Sequence, residues 1–500
     1  MKKIIYKITA VVVMFSMVLS SCTKGFEEMN TDPNNIPFSK PGQLLAPAIA
    51  GVLTTNLIRN RSINNELMQV SVDPSDAEGR IFRYDLRANV GDPLYAEWYN
   101  ELTNIKDIYK LASDTTALTY NRYYMGVSLI LQVWVHSLLT DVFGDVPYFQ
   151  ANKGKDSLNF EPAFDFQKDI YLDMFNKLEQ ANVLLASAPR NNLEVIEPNS
   201  DPVYKGDRTR WRKFGNSLYL RLLMRVSGKA EVANSAIAKI KDIVDLKSSE
   251  YPRISNNAES AVLKWTGTAP YISPLGNVRP TDFDGPDLAS FFIDNLVAWN
   301  DPRIDATGTY VSGTINRWGI APTGGRFFGV PGGYAPGTYP GRASFFFSNT
   351  SARSLQSDSS TGILMNFAEQ EFILAEAATK GWISGSAESY YNSGALNSIT
   401  YWLPNWTTVI NSQTGQPNNI VTFLTAADIQ WTPTLTFAEK MERIHLQKYY
   451  ALFLVDFQQW FEYRRTGFPN LPKGPGMVNG GVMPARLTYP VYLQSTNPTN

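Results

Sequence analysis

The chain has 500 residues, 44% of them hydrophobic, and a formal net charge of −1. That balance gives no electrostatic reason to hold nucleic acid or an anionic membrane surface, while the apolar share can bury a large core as one big domain or two fused ones. Two His and one Cys leave little for thiol, imidazole or metal chemistry, whereas 11 Trp and 25 Tyr exceed what packing usually needs.

At the front, Lys2, Lys3 and Lys7 precede an apolar run over 8–19. This reads as a secretory signal, too short to span a bilayer as a stable helix. Leu19-Ser20-Ser21-Cys22 follows and resembles the lipoprotein box of bacterial lipoproteins. The resemblance implies cleavage before Cys22 and lipidation of its thiol. Each buried acyl methylene contributes about 0.8 kcal/mol, so several chains on one residue anchor a protein durably. The expected organisation is a signal peptide over 1–21, a flexible lipid-anchored leash over 22–41 and one folded domain over 42–500. The leash carries the turn-rich Asn30-Thr31-Asp32-Pro33-Asn34-Asn35.

Helical periodicity then dominates. Segments 44–58, 64–70 and 95–111 read as helices, with a polar excursion over 73–93. Segment 122–139 is apolar almost all round, so it should be buried on several sides. Its most apolar part, 125–139, is broken by Gln132, His136 and Ser137 and reads as too short to cross a membrane. Helices are expected over 164–185 and 210–226. From 248 to 360 the chain is rich in Gly, Pro, Ser and Thr, with helical periodicity only near 288–299. Segments 366–380 and 387–402 form a pair, and Ala387, Tyr391 and Gly394 approximate tetratricopeptide spacing. A last long helix opens on the capping box Thr436-Phe437-Ala438-Glu439, runs through Trp460 and stops at Gly467 and Pro469, behind Arg464 and Arg465.

Catalytic patterns are thin. His136 and His445 fall inside helices expected to be buried and read as core histidines, and neither opens an H-E-x-x-H. The nucleophile-elbow and phosphate-loop patterns do not occur. A glycosidase needs only two acids at a set distance, but nothing singles out a pair among 46. The expectation is a protein that is not an enzyme and uses no cofactor or metal. The run Asp282-Phe283-Asp284-Gly285-Pro286-Asp287 faintly resembles a calcium loop but lacks the full ligand series; a turn starting a helix at Leu288 explains it better. Binding candidates are the rings set among Gly and Pro: Trp265, Tyr271, Trp318, Phe327, Phe328, Tyr334 and Tyr339, with Tyr84 as an outside choice. Loops this long in a compact protein are usually functional or disordered, and the aromatics argue against disorder. Trp265 and Trp318 lead by ring size. The alternative is that these rings seal the loops onto the body or face a partner.

Several stretches together resemble the SusD/RagB family of outer-membrane nutrient-binding lipoproteins. They include the run from Phe26 to Asn34, the run from Asp141 to Tyr148, the run from Trp211 to Arg225, and Asn300-Asp301-Pro302-Arg303. Gln447-Lys448-Tyr449-Tyr450-Ala451-Leu452-Phe453, the run from Glu462 to Pro469, and Pro484-Ala485-Arg486-Leu487-Thr488-Tyr489-Pro490 carry it most strongly. The resemblance implies a mainly α fold of tetratricopeptide-like helical hairpins beside a loop-rich ligand-binding region. It also implies lipid anchoring at the outer membrane, facing the exterior, and a partner TonB-dependent porin of the SusC type. Glycans are the family's usual cargo, and some members take peptides; a surface scaffold or adhesion lipoprotein is the alternative from another class. Leu493 stands where the family usually has a Glu, although Asn497 fits.

Overall fold

The structure, a computed structural model, describes residues 40–75, 79–304, 316–349, 354–408 and 418–500. The signal segment, Cys22 and nearly all of the expected leash lie outside these residues. The described residues are about 51% helical.

Consecutive helices pack in pairs: α1 (Pro41–Arg59) with α2 (Asp92–Ser113), and α3 (Arg122–Phe143) with α4 (Gln167–Ala186). Next come α5 (Arg208–Val226) with α6 (Ala233–Lys241) and, after the short α7 (Ser290–Ala298), α8 (Phe367–Thr379) with α9 (Ala387–Trp402). The expected mainly α architecture is therefore observed. In the last pair, Tyr391 is fully buried and donates its hydroxyl to Ile429 O at 2.7 Å. A Cβ on Gly394 would stand 2.9 Å from the Phe372 ring, so this glycine sets how closely α8 and α9 approach.

α3 runs past the expected end at 139 and, at 22 residues, is long and apolar enough to cross a membrane by length and composition. Its apolar window is wholly buried within the protein. The polar residues that seemed to break it bond locally: His136 Nδ1 lies 2.7 Å from Gln132 O, Ser137 Oγ donates to Trp134 O at 2.7 Å, and Gln132 Nε2 donates to Ser128 Oγ at 3.1 Å, leaving only His136 Nε2 among these groups without a protein partner. Such bonds remove most of the cost of burying a polar group.

Two expectations are corrected. The helix over 64–70 is only a π-turn over Asn60–Asn64 followed by Asn65–Leu67. The last long helix is two, α11 (Phe437–Ala451), preceded by α10 (Ile420–Ala426), and α12 (Gln458–Thr466). Its capping box forms, with Thr436 N donating to Glu439 Oε2 at 2.7 Å. Between α11 and α12, Leu454 and Asp456 take left-handed φ of 64° and 44°. The turn carries Asp456 into the core, where it accepts from Asn56 Nδ2 at 2.5 Å and Trp134 Nε1 at 3.1 Å, joining α1 and α3.

Among the described residues, four two-stranded antiparallel pairs tie down the irregular segments. Ala261–Leu263 pairs with Gly362–Met365, so the loop-rich region leaves and re-enters the body at one edge, just before α8. Ser71–Val72 pairs with Asp287–Leu288, and Ile320–Ala321 with Phe345–Phe346. The acidic run near 284 is held by protein donors. Pro280–Asp284 is itself a short helix, Asp282 pairs with Arg279 at 2.7 Å, and Asp284 accepts from Ser348 N at 2.6 Å.

Candidate functional site

Once placed, the rings proposed from sequence fall into distinct environments. Trp318 has no exposed surface; it stacks on Phe292 at 5.8 Å, meets Trp402 edge-on at 6.0 Å, and has the Arg303 guanidinium 4.8 Å from its ring. Trp265 is buried at the Gly362 edge and takes a backbone bond to Ser359 O at 3.0 Å. Neither indole offers a ring face to solvent. Tyr271 and Phe327 are partly buried against the same core. Tyr84 is buried with a left-handed φ of 64°, and burial pushes its phenol up to about 12.

Tyr334, Tyr339 and Phe328 converge on a second, smaller apolar cluster that includes Phe82, Val330 and Ala343. Phe82 and Arg83 were not singled out in sequence, because nothing in a polar excursion marks them as neighbours of residue 334. Phe82 stacks on Tyr334 at 5.1 Å, and the Arg83 guanidinium lies 4.8 Å from both rings. Arg83 Nε also donates to Tyr334 O at 2.8 Å. The loop is clamped from the C-terminal side, where Gly476 N donates to Gly333 O at 2.8 Å and Val478 N to Arg83 O at 2.9 Å. The left-handed Gly333, with φ 68°, permits that close crossing.

Tyr339 stands 5.8 Å from Tyr334 and is 41% exposed, far more than its neighbours Phe82 (0%) and Tyr334 (7%). Its hydroxyl donates to Asp287 Oδ2 at 2.6 Å. Asp287 is fully buried and also accepts from Arg342 NH1 and Ala343 N, each at 3.0 Å. Burial first, and then the Asp287 carboxylate, raise the Tyr339 phenol, so it is a neutral donor. The Arg342 guanidinium lies 4.0 Å from the Phe345 ring, and Arg80 is exposed nearby. An orientation-locked ring bordered by cationic donors suits a ligand with an apolar face and polar edges.

Glu376, His445 and Glu462 bring possible metal-ligand atoms within 4.8 Å of one another. The site does not fit a metal, because cations already occupy it. Arg465 NH2 reaches Glu376 at 2.5 Å and Glu462 at 2.7 Å, Lys448 takes Glu462 at 2.8 Å, and Lys380 takes Glu376 at 2.7 Å. Burial pulls His445 down to about 4 and His136 well below its usual value, so both are neutral core histidines.

A family model named SusD-like and described as "Starch-binding associating with outer membrane" matches residues 33–490. Among solved structures, a chitin-binding protein aligns with a TM-score of 0.70 and 23% identity, over 92% of this chain and 94% of its own. A SusD homologue from Bacteroides fragilis gives the same values. A chitin-binding SusD homologue from Flavobacterium johnsoniae aligns with a TM-score of 0.63 and 21% identity, over 91% of each chain. No curated protein matches the sequence.

Proposed function

The chain belongs to the SusD-like family of starch-binding proteins that associate with the outer membrane, and from this premise we propose that it captures oligosaccharides on the face around Tyr339 and passes them to a partner TonB-dependent porin of the SusC type. The observation that carries the reading is the exposed Tyr339 ring, fixed by its hydroxyl to buried Asp287. The ring can take the apolar face of a sugar while the exposed Arg80 reaches its hydroxyls and Arg342, bonded to Asp287 and to the Gly285 carbonyl, holds the site in place. Aromatic contacts of about 0.5–1.5 kcal/mol each, with a few hydrogen bonds, give dissociation constants of roughly micromolar to millimolar. Such modest affinity suits a protein that must release its cargo to a transporter. Lipid on Cys22 holds the protein at the cell surface, and the protein performs no turnover of its cargo. The description of the family and the chitin-binding structural relatives both favour a sugar over a peptide.

The test uses starch and chitin oligosaccharides on an array, with detergent extraction of cells in parallel. Wild type is expected to bind at least one neutral oligosaccharide, leave it uncleaved and co-extract with a much larger membrane protein. Cys22→Ala is expected to leave the membrane fraction. Binding of peptides alone, or recovery only as a lone protein, contradicts the reading.

A further inference from the structure

A cleft of about 840 Å³, whose lining includes none of the loop rings, lies between the start of α4, the end of α5 with its following turn, α12, and the C-terminal segment over 473–485. Its walls carry Lys168, Arg225, Lys229, Arg464, Arg465 and Lys473 against only two carboxylates, Asp141 and Glu231. Both acids are engaged: Asp141 takes Arg225 at 2.5 Å and the Tyr171 hydroxyl at 2.6 Å, and Glu231 lies 3.6 Å from Lys168. Arg465 is matched behind the wall by Glu376 and Glu462. Arg464, Lys229 and Lys473 have no carboxylate within ion-pair distance among the described residues.

Arg464 is the informative group. One terminal nitrogen donates to Asp141 O at 2.6 Å, the other to Ala485 O, and its buried Nε has no partner. Its guanidinium lies 4.4 Å from the Trp460 ring and 4.9 Å from that of Phe461. Capping of the α3 end accounts for one of its bonds but does not neutralise its charge. Burial accordingly lowers Arg464 to about 10, despite nearby Asp141. A chain of net charge −1 thus concentrates unmatched cations in this one cleft. Phe175 and Tyr463, both partly exposed, line the same walls and offer aromatic surface between the charges, with Tyr171 and Phe461 buried behind them.

We propose that this cleft is a second binding site, for a carboxylate-bearing oligosaccharide of the oligouronate class. Unmatched cations on three separate walls suit repeated carboxylates along one chain, and the rings between them suit the apolar faces of sugar units. The choice of a sugar over an acidic peptide rests on the carbohydrate reading above.

The test is titration of the mature protein with tetragalacturonate, with maltotetraose and tetraglutamate as comparisons. Lys229 and Lys473 are exposed, so Lys229→Glu with Lys473→Glu tests the charge without disturbing the core. Wild type is expected to bind tetragalacturonate at about 0.05 M salt and to lose most binding at about 0.5 M. The double variant is expected to bind it roughly tenfold more weakly or worse. Tyr339→Ala is expected to leave this binding unchanged, which separates the cleft from the loop face. No binding of tetragalacturonate at low salt, or equal binding by the double variant, overturns the proposal. Tetraglutamate binding as tightly as tetragalacturonate overturns the assignment to a sugar while leaving the loop-face reading untouched.

Discussion

In the helical body buried ion pairs join one helix to another, whereas the loop-rich region over 248–360, which also buries Asp287 and the Asp301–Arg303 pair, is sealed to the body chiefly by rings. Arg221 and Glu369, 2% and 1% exposed, join α5 to α8 through two bonds of 2.6 Å, and Arg221 also donates to Leu364 O at 3.0 Å. Trp318 plays the corresponding part for the loops, filling the space between Phe292 of α7, Trp402 of α9 and Phe453. Paired charges fix which helices meet, because a wrong partner leaves an ion unpaired. Packed rings need only volume and contact, and so can seal a segment with little secondary structure. The two devices leave different things over: an exposed Tyr339 on the loop side, and unmatched cations in the cleft on the helical side.

Removing one side of a charge pair should be the larger insult. Arg221→Met strands Glu369 and is expected to cost about 3–5 kcal/mol, while Arg221→Met with Glu369→Leu should recover most of it. Thermal unfolding of the three proteins measures this; a double variant no better than the single breaks the distinction between charge-held and ring-held regions. Trp318→Leu keeps an apolar group and is expected to cost about 2–3 kcal/mol, through a partial cavity.

Glu194 sharpens the comparison through pH. Arg122 bonds at 2.7 and 2.8 Å, together with the Arg190 amide, pull its carboxyl down to about 2 despite burial. A depressed carboxyl stabilises the fold fully above its ordinary pKa of 4.5, and that contribution is lost as pH falls toward 2. Glu194→Gln is therefore expected to cost about 2 kcal/mol near neutral pH. The deficit should shrink in acid, as wild-type Glu194 is itself protonated. A deficit independent of pH contradicts the ion-pair origin.

The helical pairs could be read from periodicity because apolar faces and caps repeat within a few residues, as at Thr436 and Glu439. The break after α11 could not. Leu454 carries no mark of a left-handed turn and a lone Asp456 is a weak one, while the partners that hold Asp456, Asn56 and Trp134, are hundreds of positions away. Among loop rings, Gly and Pro neighbours revealed an irregular segment but not its inside from its outside. Trp318 and Tyr339 look alike in sequence, yet one is 0% and the other 41% exposed. Arg464 and Arg465 read equally well as helix-end charges. Their different roles depend on Glu376, some ninety positions earlier, which matches one and leaves the other uncompensated.

The most direct measurement is calorimetric titration of wild type, Tyr339→Ala and Trp318→Leu with whichever neutral oligosaccharide binds wild type, with circular dichroism confirming the fold of each. Tyr339→Ala is expected to unfold at nearly the wild-type temperature yet bind roughly tenfold more weakly, as loss of one aromatic contact implies. Trp318→Leu should show the reverse, lower stability with nearly unchanged affinity. Wild-type affinity in a folded Tyr339→Ala protein would contradict the assignment of capture to this face.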